Sequence, residues 1–223
     1  MDSSYNRWLE KEMAWIKQER KQANGRAALL GVAIAVAMPL ISLIFGYTSG
    51  EPDFWSGAPA SLLIGACIGF VTWISVFLSR ATVRYEKNIQ SSLESMTQSD
   101  RENMARQMLG EDPEVKVREV SWKGILEGHS TAHITRDYLT FSGDKGSFLL
   151  VHLWKTERIE TDVKQSTYRA SGGGMSLRMS TEEYPVGFYY RGNHTDQQDS
   201  DYVFAKSEWR DAVLKAIREV SGD

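Results

Sequence analysis

The stretch "SLLIGACIGFVTWISVFLSRATVRYEKN", Ser61 to Asn88, carries no charge until Ser79 and then brings Arg80, Arg84 and Lys87 in quick succession. A second charge-free run lies upstream. Ala27 to Gly50 and Phe54 to Ser79 both lack Asp, Glu, Lys, Arg and His. Each exceeds the roughly 20 apolar residues that cross a bilayer core of about 30 Å. The pattern predicts two membrane spans, about 27–48 and 57–79. Polar and amphipathic residues precede the first, which is not the order of a cleaved signal peptide.

The connector "TSGEPDFWSGAP", Thr48 to Pro59, is short enough to join only antiparallel neighbours, so the spans read as a hairpin over 27–79. Lys17, Arg20, Lys21 and Arg26 precede it, and Arg80, Arg84 and Lys87 follow it, whereas the connector holds only Glu51 and Asp53. Lys and Arg accumulate on the cytoplasmic side of membrane proteins. The expected location is therefore the cell membrane, multi-pass, with both termini cytoplasmic. Tyr47, Phe54 and Trp55 fall where amphipathic rings favour the outer interface.

Small residues recur at four-residue spacing. Gly31 and Ala35 do so in the first span, and Ser61, Gly65 and Gly69 in the second. Such rows let helix backbones approach closely, within one hairpin or between protomers. The absence of ionisable residues from both spans argues against a pump or coupled transporter. Cys67 is the only cysteine and reads as a small packing residue.

Residues 1–26 predict an amphipathic helix. Tyr5, Trp8, Leu9, Trp15 and Ile16 share a face, with Glu12 in its middle. Two placements are open: in the headgroup layer, anchored by Trp8 and Trp15, or against protein. After the second span a helical stalk, 80–112, is expected. Tyr85, Ile89, Leu93 and Met96 make a narrow seam suited to a helix–helix contact. Ser99 with Glu102 reads as a capping box opening a second helix, which Gly110 and Pro113 end.

Beyond residue 112 the apolar period changes from helical to alternating. "VKVREV", "TAHITRDYLTF", "SFLLVHL", "ERIETDVKQSTYRA", "MSLRMS", "YPVGFYYRG" and "DYVFA" predict seven or eight short antiparallel strands. "GDKG" is a turn and "SGGG" a hairpin tip. The continuous apolar run of "SFLLVHL" predicts burial on both faces. A closing helix follows, with Ser207 as N-cap and a stripe of Trp209, Val213 and Ile217.

Strand number, the early hairpin "TAHITRDYLTFSG" and the strand–helix ending "DYVFAKSEWRDAVLKAI" resemble a pleckstrin-homology-like domain. Trp209, Ala212 and Val213 are similar to the tryptophan and small residues of that superfamily's closing helix. The resemblance covers residues 113–223 and implies a split barrel capped by its C-terminal helix, of a kind found in bacterial membrane proteins. The basic cluster of phosphoinositide-binding members is represented only by Lys116, Arg118 and Lys123. The overall expectation is an α+β membrane protein with a cytoplasmic antiparallel β domain.

Chemistry is sparse. His129 and His133 lie at the entry to a strand, where four residues span about 13 Å. That is too far for one ion, and they read as surface histidines. "SGGGMS" lacks the Gly-Lys-Ser/Thr of a phosphate loop. No nucleophile–base set is evident, so no enzyme activity, metal or cofactor is expected. Acidic residues outnumber basic ones from Glu111 onward, which disfavours nucleic acid. The expected role is a membrane-anchored adaptor or scaffold that binds the bilayer and a protein or peptide partner. The alternatives are a small homo-oligomeric channel or transport accessory, and a sensor of membrane-surface lipid.

Overall fold

The computed structural model describes residues 3–49, 63–71, 81–124, 128–172, 175–191 and 199–222. Its first helix, α1, runs unbroken from Ser4 to Ser49. The expected amphipathic helix and first span are therefore one element. A change from polar to apolar composition does not itself interrupt a helix. Gly25 at the changeover costs only about 1 kcal/mol relative to Ala, and Pro39 is accommodated inside α1.

By length and composition α1 is able to cross a membrane. Leu29, Val32, Val36, Leu40 and Ile44 are all more than half exposed. Of the second expected span only residues 63–71 are described. They are helical (α2) and show Leu63, Ile64, Phe70 and Val71 more than half exposed. Trp55, Ser61 and Arg80 lie outside the described residues.

Helix α3 spans Ala81–Leu93 and α4 spans Gln98–Met108. The α4 cap is Thr97, not Ser99. Its Oγ1 accepts from the Asp100 amide at 3.2 Å. Glu102, expected inside the capping box, instead accepts from the Tyr5 amide at 3.2 Å and so caps the first turn of α1. Gly110 takes a positive φ just past the end of α4, as a C-terminal glycine should.

Eight strands follow: β1 (Arg118–Gly124), β2 (Gly128–Ile134), β3 (Tyr138–Gly143), β4 (Phe148–His152), β5 (Thr156–Thr161), β6 (Lys164–Gly172), β7 (Met175–Tyr190) and β8 (Ser200–Phe204). A single 3-10 turn, Leu153–Lys155, separates β4 from β5. Strands β1 to β4 form an antiparallel meander. In the second sheet β7 pairs with β5 and β6 on one path and also with β8. The two stretches "MSLRMS" and "YPVGFYYRG" are thus one strand. Pro185 does not break it because it lies where β7 passes from β6 to β5, between Glu183↔Lys164 and Val186↔Thr161. There a missing N–H costs little. Helix α5 (Ser207–Ser221) closes the domain. Its N-cap is Lys206, so Ser207 is the first helical residue rather than the cap.

The first sheet is covered on both faces, and β3 is buried at every position. Leu139, Phe141 and Val151 face a core between the sheets with Trp122, Phe188, Phe204, Val213 and Ile217. Trp209 is partly buried there and stacks on Trp122, ring centroids 6.4 Å apart. Tyr138, Phe148 and Leu150 face a second core built with α1, α3 and α4. The both-face burial expected of "SFLLVHL" holds for β4. The α+β arrangement, with antiparallel sheets and a C-terminal helix on β1, is consistent with the pleckstrin-homology-like expectation.

Candidate functional site: the junction of the helices with the first sheet

The seam residues of α3 supply the middle of the second core. Tyr85 and Ile89 are fully buried, Leu93 is 1% exposed and Met96 8%. The 4-residue steps of Tyr85, Ile89 and Leu93 put them on one face of α3, which meets β4 and α1, and Met96 joins the same core from the turn after the helix. The expected stalk is therefore packed along the domain over its whole seam. Burying an aliphatic side chain such as Ile16, Ile89 or Leu93 contributes about 1.5–3 kcal/mol relative to exposure.

Trp8, expected at the membrane interface, is 2% exposed in this core and packs 6.2 Å from Phe148. Trp15 is half-buried against Tyr85 and His129. The amphipathic face of α1 thus lies on protein, which settles the choice that Glu12 left open. Glu12 is 5% exposed, and its carboxylate accepts from the Tyr85 hydroxyl. The Ser142 hydroxyl lies 2.8 Å from Tyr85 Oη and 3.4 Å from Glu12 Oε2. Burial, and then the Glu12 charge, push the Tyr85 phenol far above its ordinary pKa.

Further along α1 the contacts become polar. Glu19 is 7% exposed and its Oε2 lies 3.0 Å from His129 Nδ1 on β2. His129 and His133, expected at the surface, are largely covered. His133 Nε2 is 3.7 Å from Glu119. The buried Asp144 carboxylate accepts from the His129 amide at 2.9 Å. The Arg20 guanidinium of α1 lies within electrostatic reach of it. Burial lowers the pKa of this guanidinium, the Asp144 charge opposes that shift, and the like charge of Arg84 on α3 adds to it.

The β3–β4 turn completes the junction. Gly146 has φ +89° and lies so close to the Ala81 carbonyl that no side chain fits there. Asn88 Nδ2 donates to the Gly146 carbonyl at 2.9 Å. At the other end α4 is fastened by Gln107, which donates to Asp137 at 2.6 Å and accepts from Thr135 at 3.0 Å. Arg7 of α1 pairs with Glu111 at 2.8 Å.

Where α1 meets α2, Gly31 and Gly69 cross backbone to backbone. A β-carbon on Gly31 would lie 2.9 Å from the Gly69 carbonyl oxygen. Gly65 is also buried, and Ala35 lines the apolar groove beside the crossing with Ala28, Val32, Ala66 and Phe70. A polar groove of about 650 Å³ lies elsewhere, between β7 and the start of α5, lined by Glu182, Glu183, Tyr184, Lys206 and Glu208.

The Glu12–Tyr85–Ser142 set is closed to solvent. Among the described residues no group of three His, Cys, Asp or Glu side chains could hold a metal ion. The polar contacts were not predictable from local spacing, because their partners are far apart in the chain. Compared with models of known families, curated proteins and solved structures, the chain matches none.

Proposed function

We propose that the chain is a multi-pass membrane protein whose cytoplasmic, pleckstrin-homology-like domain is an adaptor for a protein or peptide partner. The observation that carries the reading is α1: one helix holds the buried Trp8 and Glu12 at one end and the exposed apolar surface from Leu29 to Tyr47 at the other. A helix continuous through both regions, with its lower part packed on the sheet, holds the domain at a set height and rotation below the bilayer. The crossing of α1 and α2 at Gly31 and Gly69 supports a second pass, since close backbone contact is how helices associate in lipid.

The partner surface in this reading is the groove between β7 and α5. Its rim sets Glu182, Glu183 and Glu208 against Lys206, which pairs with Glu208 at 3.4 Å, and the acidic excess favours a basic or amide-rich segment over an acidic one. The test is native mass spectrometry of the full chain extracted gently from its host membrane. A protein retained at fixed stoichiometry by the wild type is expected to be lost in Glu182→Lys/Glu208→Lys and kept in the control Glu157→Lys. A bare chain or homo-oligomer in every case would overturn the adaptor reading.

A further inference from the structure

Strands β5 and β6 lie end to end along one edge of β7. The pairs Thr161↔Val186 and Lys164↔Glu183 keep one register across the gap between them, and the Asp162 amide donates to the Pro185 carbonyl at 3.2 Å. Val186, Gly187 and Phe188 pair with both β5 and β8, so β8 takes the opposite edge. The two edges are covered to different lengths. β5 and β6 follow β7 from Tyr190 to Met175, whereas β8 stops at Tyr184↔Phe204 and the chain turns into α5. Among the described residues no strand continues the line of β8 past Tyr184.

A strand residue sends its N–H and C=O to one edge, and successive residues alternate. The Pro185 carbonyl faces the β5–β6 edge, and the Phe188 carbonyl accepts from the Asp199 amide on the β8 side at 3.0 Å. Glu182 and Ser180 are in phase with Phe188. Their main-chain groups therefore point to the edge that β8 leaves, and both residues are exposed. Glu182 lines the groove between β7 and α5, and Ser180 lies just beyond its lining. Such an edge is a template for pairing with another chain.

We propose that the groove holds an extended segment of a protein partner as an added strand, antiparallel to β7 and in line with β8. The main chain of Glu182 and Ser180 would pair with it, and the start of α5 would wall it in. Charge sets the kind of segment. Lys206 pairs with Glu208 at 3.4 Å and Arg210 with Asp211 at 2.9 Å, while Lys164 stands opposite Glu183. Glu182 stands opposite the uncharged Gln165, and its carboxylate accepts from the Tyr184 hydroxyl at 2.6 Å. A basic side chain opposite Glu182 is the complement on the entering strand. The proposal rests on the adaptor reading, whose groove it shares, and adds how the partner is held.

The test uses the full chain in nanodiscs of phosphatidylcholine and a dye-labelled heptapeptide of alternating lysine and valine, read by fluorescence anisotropy. Two analogues are N-methylated, one at every lysine and the other at every valine. An added strand turns alternate N–H groups to β7, so one analogue should bind about tenfold more weakly than the other, the worth of two main-chain bonds. Ser180→Pro removes an N–H from the open edge but none from the pairing with β6, and should weaken the parent peptide by about fivefold. Should that variant fail to fold, the two analogues on the wild type decide alone.

Equal affinities of the two analogues would overturn strand addition, as would no binding of the parent peptide at millimolar concentration. If the native complex is lost in Glu182→Lys/Glu208→Lys while the analogues bind alike, the adaptor reading stands and strand addition falls. If the analogues separate as expected but the native experiment retains no partner, the edge accepts a strand and the adaptor reading falls.

Discussion

The Tyr85 hydroxyl donates to the Glu12 carboxylate inside a core where neither residue is more than 5% exposed. One residue belongs to α1 and the other to α3, so the bond joins the two helices that lead toward the apolar segments. Removing one partner of a buried bond leaves the other desolvated and unpaired. Tyr85→Phe should therefore cost about 1–3 kcal/mol, because Glu12 is left with Ser142 alone, 3.4 Å away. Glu12→Gln keeps an acceptor for Tyr85 and should cost less. Denaturant unfolding of the detergent-solubilised chain checks the order. A Tyr85→Phe variant as stable as wild type would mean that the bond does not hold α1 to α3.

Gly31 and Gly69 invite a second comparison, with Gly25 as the control. A β-carbon at position 69 would lie 2.5 Å from the Gly31 carbonyl oxygen, whereas at Gly25 it would meet nothing within 4 Å. Gly69→Ala must push the helices apart or bend one of them, at a cost of about 1–3 kcal/mol. Gly25→Ala should stabilise α1 by up to about 1 kcal/mol through helix propensity alone. Thermal unfolding in one detergent should rank Gly25→Ala above wild type and Gly69→Ala below it. Equal midpoints for the two variants would rule out a tight crossing.

His152 sets a pH dependence. Burial, and then the charge of Lys155, hold its imidazole below the ordinary value of 6.5, while Asp100 pulls weakly the other way. The folded protein therefore prefers neutral His152, and the unfolded chain takes up the proton first as pH falls. This contribution to stability is complete above pH 6.5 and declines below it, until the folded-state imidazole also protonates. His152→Gln should flatten the stability profile in that interval. An NMR titration placing the His152 resonance at or above 6.5 would contradict the prediction.

Much of this architecture is legible along the chain because it is written in short periods. The seam of Tyr85, Ile89 and Leu93, the stripe of Val213 and Ile217, and the doubly apolar β4 each declare their burial within a few residues. What the local pattern hides is pairing at a distance. Glu12 stands out on an apolar face, but nothing near it reveals Tyr85 or Ser142. Ser99 with Glu102 reads as a capping box, but Thr97 caps α4 and Glu102 accepts from the Tyr5 amide of α1 instead. "MSLRMS" and "YPVGFYYRG" read as separate short strands, and only the break between β5 and β6 opposite Pro185 shows how one strand runs through both.

The proposed hairpin makes the sharpest topological prediction. Cys67 is the only cysteine, so Cys67→Ala supplies a background without thiols. In that background Asp53→Cys marks the connector, Lys11→Cys marks the N-terminal part of α1, and Lys215→Cys marks α5. Two antiparallel spans with cytoplasmic termini place Asp53 outside and the other two inside. A membrane-impermeant maleimide should therefore label Asp53→Cys in intact cells, and label Lys11→Cys and Lys215→Cys only after lysis. If Lys215→Cys were labelled in intact cells while Lys11→Cys was not, the chain would cross once, and the contacts between α1 and the domain could not form in the cell. If Asp53→Cys reacted only after lysis, along with the other two, the apolar segments would not carry the connector across the bilayer. The Gly31–Gly69 crossing would then belong to a hairpin that does not span it.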